Sequence, residues 1–320
     1  MFHTCSRRVG SANRNCAGND FPIVLERWNL GWEHLSQINP RLIMVRLSGY
    51  GQTGPYRDRP GFGVVGEAMG GMRYVTGYPD RPPVRLGISI GDSIVALYGV
   101  IGAMMALHHR NVNGGRGQFV DVALYEAVFS MMESLAPEFD MLGFIRERAG
   151  NALPGIVPSN TYPTRDGRFV IIGANNDSIF KRLMTAIGRA DLANDPQFAT
   201  NADRVPRTGE LDHAIAGWTQ QHDLEHVLAV LEKAEVPSGK VYDAADIVKD
   251  AHYLARGMIE QHRLPDGKAI KLPGIVPKLS DTPGSTEWVG PALGAHTAEV
   301  LGALGYSEMQ QRELKQRGVI

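Results

Sequence analysis

Apolar residues first settle into an ordered pattern at Phe21. Through "FPIVLERWNLGWEHLSQINP" they recur at helical spacing until Pro40, which predicts helical turns ending there. "RLIMVRLS" follows as a continuous apolar run, predicting a buried strand, and "GYGQTGPYRDRPGFG" then breaks the pattern with Gly, Pro and charge. A small-residue helix is predicted near Val64 to Met72 and a long apolar helix from Asp92 to His109. After the turn "NGGRG", "QFVDVAL" has the character of a strand and Tyr125 to Leu142 that of a helix. Strands alternating with helices of crossover length point to a parallel α/β organisation.

The pattern changes at residues 151–160, "NALPGIVPSN", and "LPGIVP" recurs at Leu272 to Pro277; both are expected to be connectors. Between them, Asp166-Gly167 and Asp266-Gly267 mark turns beside strands, and amphipathic helices fill the middle. The expectation is a large domain over 21–150, a smaller inserted α+β domain over 160–271, and C-terminal helices over 285–320 that return to the large domain. Residues 1–20 carry Arg7, Arg8 and Arg14, no acid before Asp20 and almost no apolar periodicity, so a disordered leader is expected. An acid-poor, arginine-bearing start also suits a mitochondrial presequence, but the amphipathic stripe is lacking.

Composition narrows the function. Among 320 residues, 33 Lys and Arg face 34 Asp and Glu, so no global field draws nucleic acid or an anionic membrane. Two cysteines, Cys5 and Cys16, form neither a disulfide framework nor a zinc pattern, which fits a reducing, cytoplasmic setting. Ile88 to Leu107 is long enough to span a bilayer, yet Asp92 interrupts it and His108, His109 and Arg110 follow, so a buried core helix is expected.

Three short motifs compete for the chemistry. "GISIG" offers Ser89 as an elbow nucleophile, but Pro82 and Pro83 leave no room for the buried strand that a hydrolase elbow needs. "GYGQTG" matches a dinucleotide fingerprint in letters, but Pro55 and "YRDRPG" extend the loop where a helix must open. "HDLEH" matches a zinc-site pattern, but the apolar spacing after it makes Asp223 an N-cap and leaves His222 outside the helix; no metal site is expected. Asp92, between Gly91 and Ser93, has an ordinary role as a helix cap worth about 1 kcal/mol. The same helix start also suits a reactive carboxylate, kept ionised and approachable past Gly91.

Taken together, "LERWNLGWEHLSQINPRLIMVRLSGYGQTGPYRDRPGFG", "GDS", "GRGQFVDVALYEAV", "PTRDGRFVIIGANND" and "LGAHTAEVLGALGYS" resemble the class III coenzyme A transferases, the CaiB/BaiF family. The resemblance runs from about Phe21 to the C-terminus. It implies a Rossmann-like large domain, an inserted small domain and an interlocked homodimer. It also implies transfer of coenzyme A between an acyl-CoA and a small carboxylic acid, with coenzyme A as substrate and no permanently bound cofactor. The family's nucleophilic aspartate falls on Asp92, which forms first a mixed anhydride and then an aspartyl-CoA thioester. Arg27 falls where an arginine meets coenzyme phosphates, and Arg59, Pro60, Gly61 and Phe62 fall on the loop over the thioester, with Gly91 beside it.

The match departs in three places. Related racemases place a histidine where Phe62 stands, which disfavours a 2-methylacyl-CoA epimerase, and Gly63 replaces a common acid. Residues 1–20 match nothing of roughly a hundred further residues that such proteins carry at the front, about the size of a small domain. A non-catalytic remnant of the family is therefore a second expectation, and a mitochondrial setting is a second location for a eukaryotic source. Asn175 and Asn176 are candidates for acceptor choice or for a turn.

Overall fold

The structure, a computed structural model, describes residues 15–18 and 24–320. The chain divides between Asn151 and Ala152 into two compact units.

The first unit is built on a parallel sheet of order β1-β2-β3, formed by Asn15–Gly18, Ile43–Ser48 and Phe119–Ala123. β1 lies inside the predicted leader; the remainder of that leader, and Asn19 to Ile23, lie outside the described residues. Helices α1 (Val24–Arg27) and α2 (Trp32–Ile38) precede β2 and end before Pro40 as the periodicity predicts. Successive side chains of β2 face opposite sides. Met44 joins Leu35 and Leu42 in one cluster, while Ile43 and Val45 meet Ala106 in another.

Between β2 and β3 come α3 (Gly63–Met69), α4 (Met72–Val75) and α5 (Ile90–Val112). α5 is the crossover that returns the chain for a parallel pairing. Its inner face lies close to the sheet because it carries glycine: a Cβ on Gly99 would stand 3.2 Å from Leu47, and one on Gly102 would stand 2.6 Å from Val120. α3 likewise lies against α6 (Leu124–Phe129) through Gly66, where a Cβ would come within 2.7 Å of Leu124.

Three expectations need correction. α5 begins at Ile90 with Ser89 at the N-cap, so Asp92 stands in the first turn rather than at the cap. Nor is α5 wholly a core helix. Leu97, Val100, Ile101, Met104 and Met105 form an outward stripe at helical spacing, with Met105 68% exposed. By length and composition the helix is apolar enough to cross a membrane, but its other face is committed to the sheet. The predicted helix from Tyr125 to Leu142 is two: α6, then α7 (Leu135–Leu142), separated where Glu133 takes a positive φ of 53°.

The second unit opens on an antiparallel sheet of order β4-β5-β6, Ser159–Pro163, Phe169–Gly173 and Ser238–Lys240. Gly167, at φ 73°, makes the tight turn between β4 and β5, and Gly267, at φ 85°, does so between β7 (Ile259–Arg263) and β8 (Ala269–Pro273). Val170, Ile172, Phe180, Leu183, Leu211, Ile215 and Leu231 interlock in the core between this sheet and its helices. Arg204 is fully buried there. It donates to the carbonyls of Val157, Phe198 and Asn175 and to Asp177, and its guanidinium lies 4.6 Å from the Phe180 ring centroid. The terminal helices Thr297–Ala303 and Glu308–Gln316 belong to this second unit in the chain's own division, whereas the sequence pattern sends them back to the first.

Candidate active site

The site gathers beyond the carboxyl end of β2, where α/β sheets place ligands. The loop from Gly49 to Phe62 is anchored there. The Gly51 N–H donates to Ser48 Oγ at 3.0 Å, and the Gln52 N–H donates to Asp121 Oδ2 at 2.9 Å. Desolvation raises the Asp121 carboxyl above its ordinary range, while the Gln52 bond pulls it back. Tyr50 meets the Tyr56 ring edge-on at 5.8 Å and the Tyr125 ring at a tilt, and the Arg59 guanidinium covers the Tyr56 ring at 3.7 Å. The loop's two ends touch backbone to backbone: a Cβ on Gly61 would stand 2.7 Å from the Gly49 Cα.

The loop's end delivers Gly63 beneath Asp92. A Cβ on residue 63 would stand 2.8 Å from Asp92 Cγ and 2.9 Å from its Oδ1, closer than real side chains approach. Glycine at this place lets the carboxyl lie directly on the α3 backbone. Asp92 is solvent-exposed and forms no hydrogen bond or ion pair among the described residues. Behind it, the buried Glu67 accepts from the Gly91 N–H at 3.5 Å and pairs with Arg73 at 3.1 Å. The residue that precedes Asp92 is thereby tied to α3.

Ser89 is no hydrolase elbow here. No strand lies between α4 and Ser89, and its hydroxyl is 3.4 Å from the Arg85 guanidinium, a donor that cannot act as a base. In the "HDLEH" segment, His222 precedes the helix Leu224–Lys233, and Asp223 stands at the N-cap position with its carboxylate held by Arg165. Asn176 caps the helix Asp177–Ala186 by accepting from Ser178 N–H, and the Asn175 carbonyl receives Arg204, so both have structural roles.

On the opposite face of β2 a cavity of about 500 Å³ opens among Trp32, His34, Arg46, Gln52, Arg57 and Phe119. His34 Nε2 and Gln52 Nε2 are buried there without a hydrogen-bond partner among the described residues. Arg46 faces Glu26 at 2.5 Å. Neither His34 nor Gln52 stands out in the sequence, because an amide in a loop and a histidine in a helix carry no motif.

The structure thus brings Gly61, Phe62, Gly91 and Asp92 together around Gly63. Phe62 caps α3 with its ring 78% exposed, and Pro60 is also exposed. Arg59 is engaged on Tyr56, while Arg27 ends α1, exposed and outside the cavity's lining.

With this geometry in view, the comparisons with known proteins identify the class. The family model described as CoA-transferase family III matches residues 17–297, and the chain belongs to that family. It is 49% identical over 300 residues to succinyl-CoA–D-citramalate CoA-transferase of Chloroflexus aurantiacus, a match covering 93% of this chain and 74% of that protein. It is 40% identical to the β subunit of succinyl-CoA–L-malate CoA-transferase of the same organism, covering 93% and 75%. Among solved structures, a CaiB/BaiF family protein from Brucella suis superposes with a TM-score of 0.81 at 33% identity, covering 94% of this chain and 78% of that one. The protein is accordingly an enzyme with CoA-transferase activity.

Proposed function

We propose that the protein moves coenzyme A from succinyl-CoA to a small hydroxydicarboxylic acid through covalent intermediates on Asp92. The observation that carries the proposal is an exposed carboxylate, free of any ion pair or hydrogen bond among the described residues, lying on a glycine at the start of an apolar helix. An aspartate satisfied structurally would have a donor. This one is left for a substrate.

Asp92 attacks the thioester carbonyl, the carbon–sulfur bond breaks, and coenzyme A leaves as thiolate, giving a mixed anhydride. The thiolate then attacks the Asp92 carbonyl of that anhydride and releases the donor acid, leaving an aspartyl-CoA thioester. The acceptor carboxylate attacks this thioester, thiolate leaves again, and its return to the acceptor carbonyl frees Asp92 and the new acyl-CoA. Each exchange thus proceeds from an activated carbonyl. The Gly91 N–H held by Glu67 and the backbone contact of Gly63 fix the carboxyl's starting position.

The two Chloroflexus relatives are named for succinyl-CoA with citramalate and malate, which supports the donor and acceptor class. Arg27 is the cation that we assign to the coenzyme's phosphates, with Arg59, Pro60, Gly61 and Phe62 over the pantetheine and thioester. Coenzyme A is substrate; no resident cofactor enters the proposal. The outward stripe of Leu97, Val100, Ile101, Met104 and Met105 supports assembly as an interlocked homodimer. The three parallel strands are the described part of a Rossmann-like sheet in this proposal, and the setting is cytoplasmic.

The test is exchange itself. Incubation with succinyl-CoA and D-citramalate or L-malate should yield a new CoA thioester on chromatography, and Asp92→Asn should yield none. Release of free coenzyme A without a new thioester would overturn transfer in favour of hydrolysis.

A further inference from the structure

Arg85 is the unexplained cation of the site. It is exposed, and among the described residues it forms no ion pair; its guanidinium meets only the Ser89 hydroxyl at 3.4 Å. No acid lies between Arg81 and Gly91. Ser89, Ile90, Gly91 and Asp92 spell a capping box, in which the first and fourth side chains share one side of the helix start. The box is not closed. Ser89 makes no side-chain cap bond and turns instead to Arg85, while Asp92 lies on Gly63. The Arg85 guanidinium thus reaches the side chain three residues before the carboxylate proposed to react.

We infer that Arg85 receives the distal carboxylate of a dicarboxylyl donor or acceptor while the other end reacts at Asp92. Ser89, which Arg85 touches, and Asp92 are three apart at the helix start, a spacing that on a helix puts Cβ atoms about 5–6 Å apart. Three carbon–carbon bonds of about 1.5 Å extend a four-carbon diacid over about 4 Å between its carboxyl carbons. With the reach of two side chains added, one end contacts Asp92 and the other Arg85. The guanidinium's planar fork matches a carboxylate in a bidentate manner, which an ammonium does not reproduce. A monocarboxylyl chain of the same length leaves the arginine unused, so the residue selects for the second negative charge rather than for length. The inference rests on the transfer reading above.

The experiment compares succinyl-CoA with butyryl-CoA, in which a methyl group replaces the distal carboxylate, each with L-malate as acceptor. Wild-type enzyme should favour succinyl-CoA in kcat/KM. Arg85→Gln should reduce the succinyl-to-butyryl ratio about 10- to 100-fold, the range expected for a hydrogen bond to a charged group. Arg85→Lys should fall between the two. If both donors lose equally in Arg85→Gln and the ratio stays within twofold of wild type, the inference is wrong and the residue acts only on the loop. If wild type uses both donors equally, the inference also fails while the transfer reading stands. Absence of any new thioester in wild type with either donor would sink both.

Discussion

Replacing Gly63 with alanine separates stability from chemistry at this site. Residue 63 is the first helical residue of α3, and its backbone has no left-handed torsion, so alanine fits the main chain. Its Cβ would stand 2.8 Å from Asp92 Cγ and 2.9 Å from Oδ1. Ordinary contacts between such atoms lie at about 3.5–4.0 Å, so the carboxyl must withdraw by about 1 Å. Asp92 is exposed and swings away at little cost, so the folded state is not threatened. Glycine to alanine in a helix is worth up to about 1 kcal/mol in favour of the fold, less in the first turn. A 1 Å misplacement of a reacting group costs about 100-fold, or about 2.7 kcal/mol in the barrier. Gly63→Ala should therefore keep or raise Tm while reducing kcat for CoA exchange about 100-fold, measured by thermal melts and thioester chromatography on the same sample. Activity within threefold of wild type would refute the claim that Gly63 positions Asp92. So would a loss that merely tracks unfolding.

Three further outcomes follow from the same geometry. Phe62 supplies no base beside Asp92, so incubation of a 2-methylacyl-CoA in deuterium oxide should give no label at the alpha carbon; wash-in by mass spectrometry would restore the epimerase reading. Arg204→Leu should destabilise the second unit by roughly 2 to 4 kcal/mol in urea titrations, because two or three buried carbonyls lose their donor at about 1 kcal/mol or more each. The carboxyls of Asp166, Asp223 and Asp246 are held below their ordinary range by Thr164, Arg165 and Lys240. Their contribution is present above the ordinary aspartate value near 4 and is lost as pH falls through the lower folded values, so urea midpoints should drop below about pH 4 and be flat from 5 to 7.

Much of this molecule is legible in its chain, for reasons that differ by element. β2 is plain because Ile43 to Val45 are buried on both faces of a parallel strand, and an apolar run is what such burial requires. The turns at Gly167 and Gly267 are plain because the torsion demands glycine. Asp92 is legible as a lone acid ahead of an apolar helix, yet its placement in the first turn rather than at the cap depends on two residues of helix that propensity does not fix. α5 misleads because a side chain's hydrophobicity is the same whether its cover comes from this chain or from another surface. Glu67, His34 and Gln52 escape because each acts through tertiary neighbours: Gly91 lies 24 residues from Glu67, and the cavity draws on α2, β2 and the loop together. The acid in "GVVGEAM", alone among small apolar residues, is the one trace of Glu67 in the sequence.

The central claim is that Asp92 becomes covalently acylated, and trapping addresses it directly. Enzyme incubated with succinyl-CoA, without acceptor, is treated with borohydride and digested, and the peptide spanning Arg85 to Arg110 is sequenced by mass spectrometry. Reduction of an activated aspartyl carbonyl should convert Asp92 alone to the corresponding alcohol, with a loss of about 14 Da, and Asp92→Asn enzyme should be unmodified. An unmodified Asp92 in enzyme that still exchanges coenzyme A, or a label on Ser89, would contradict the account.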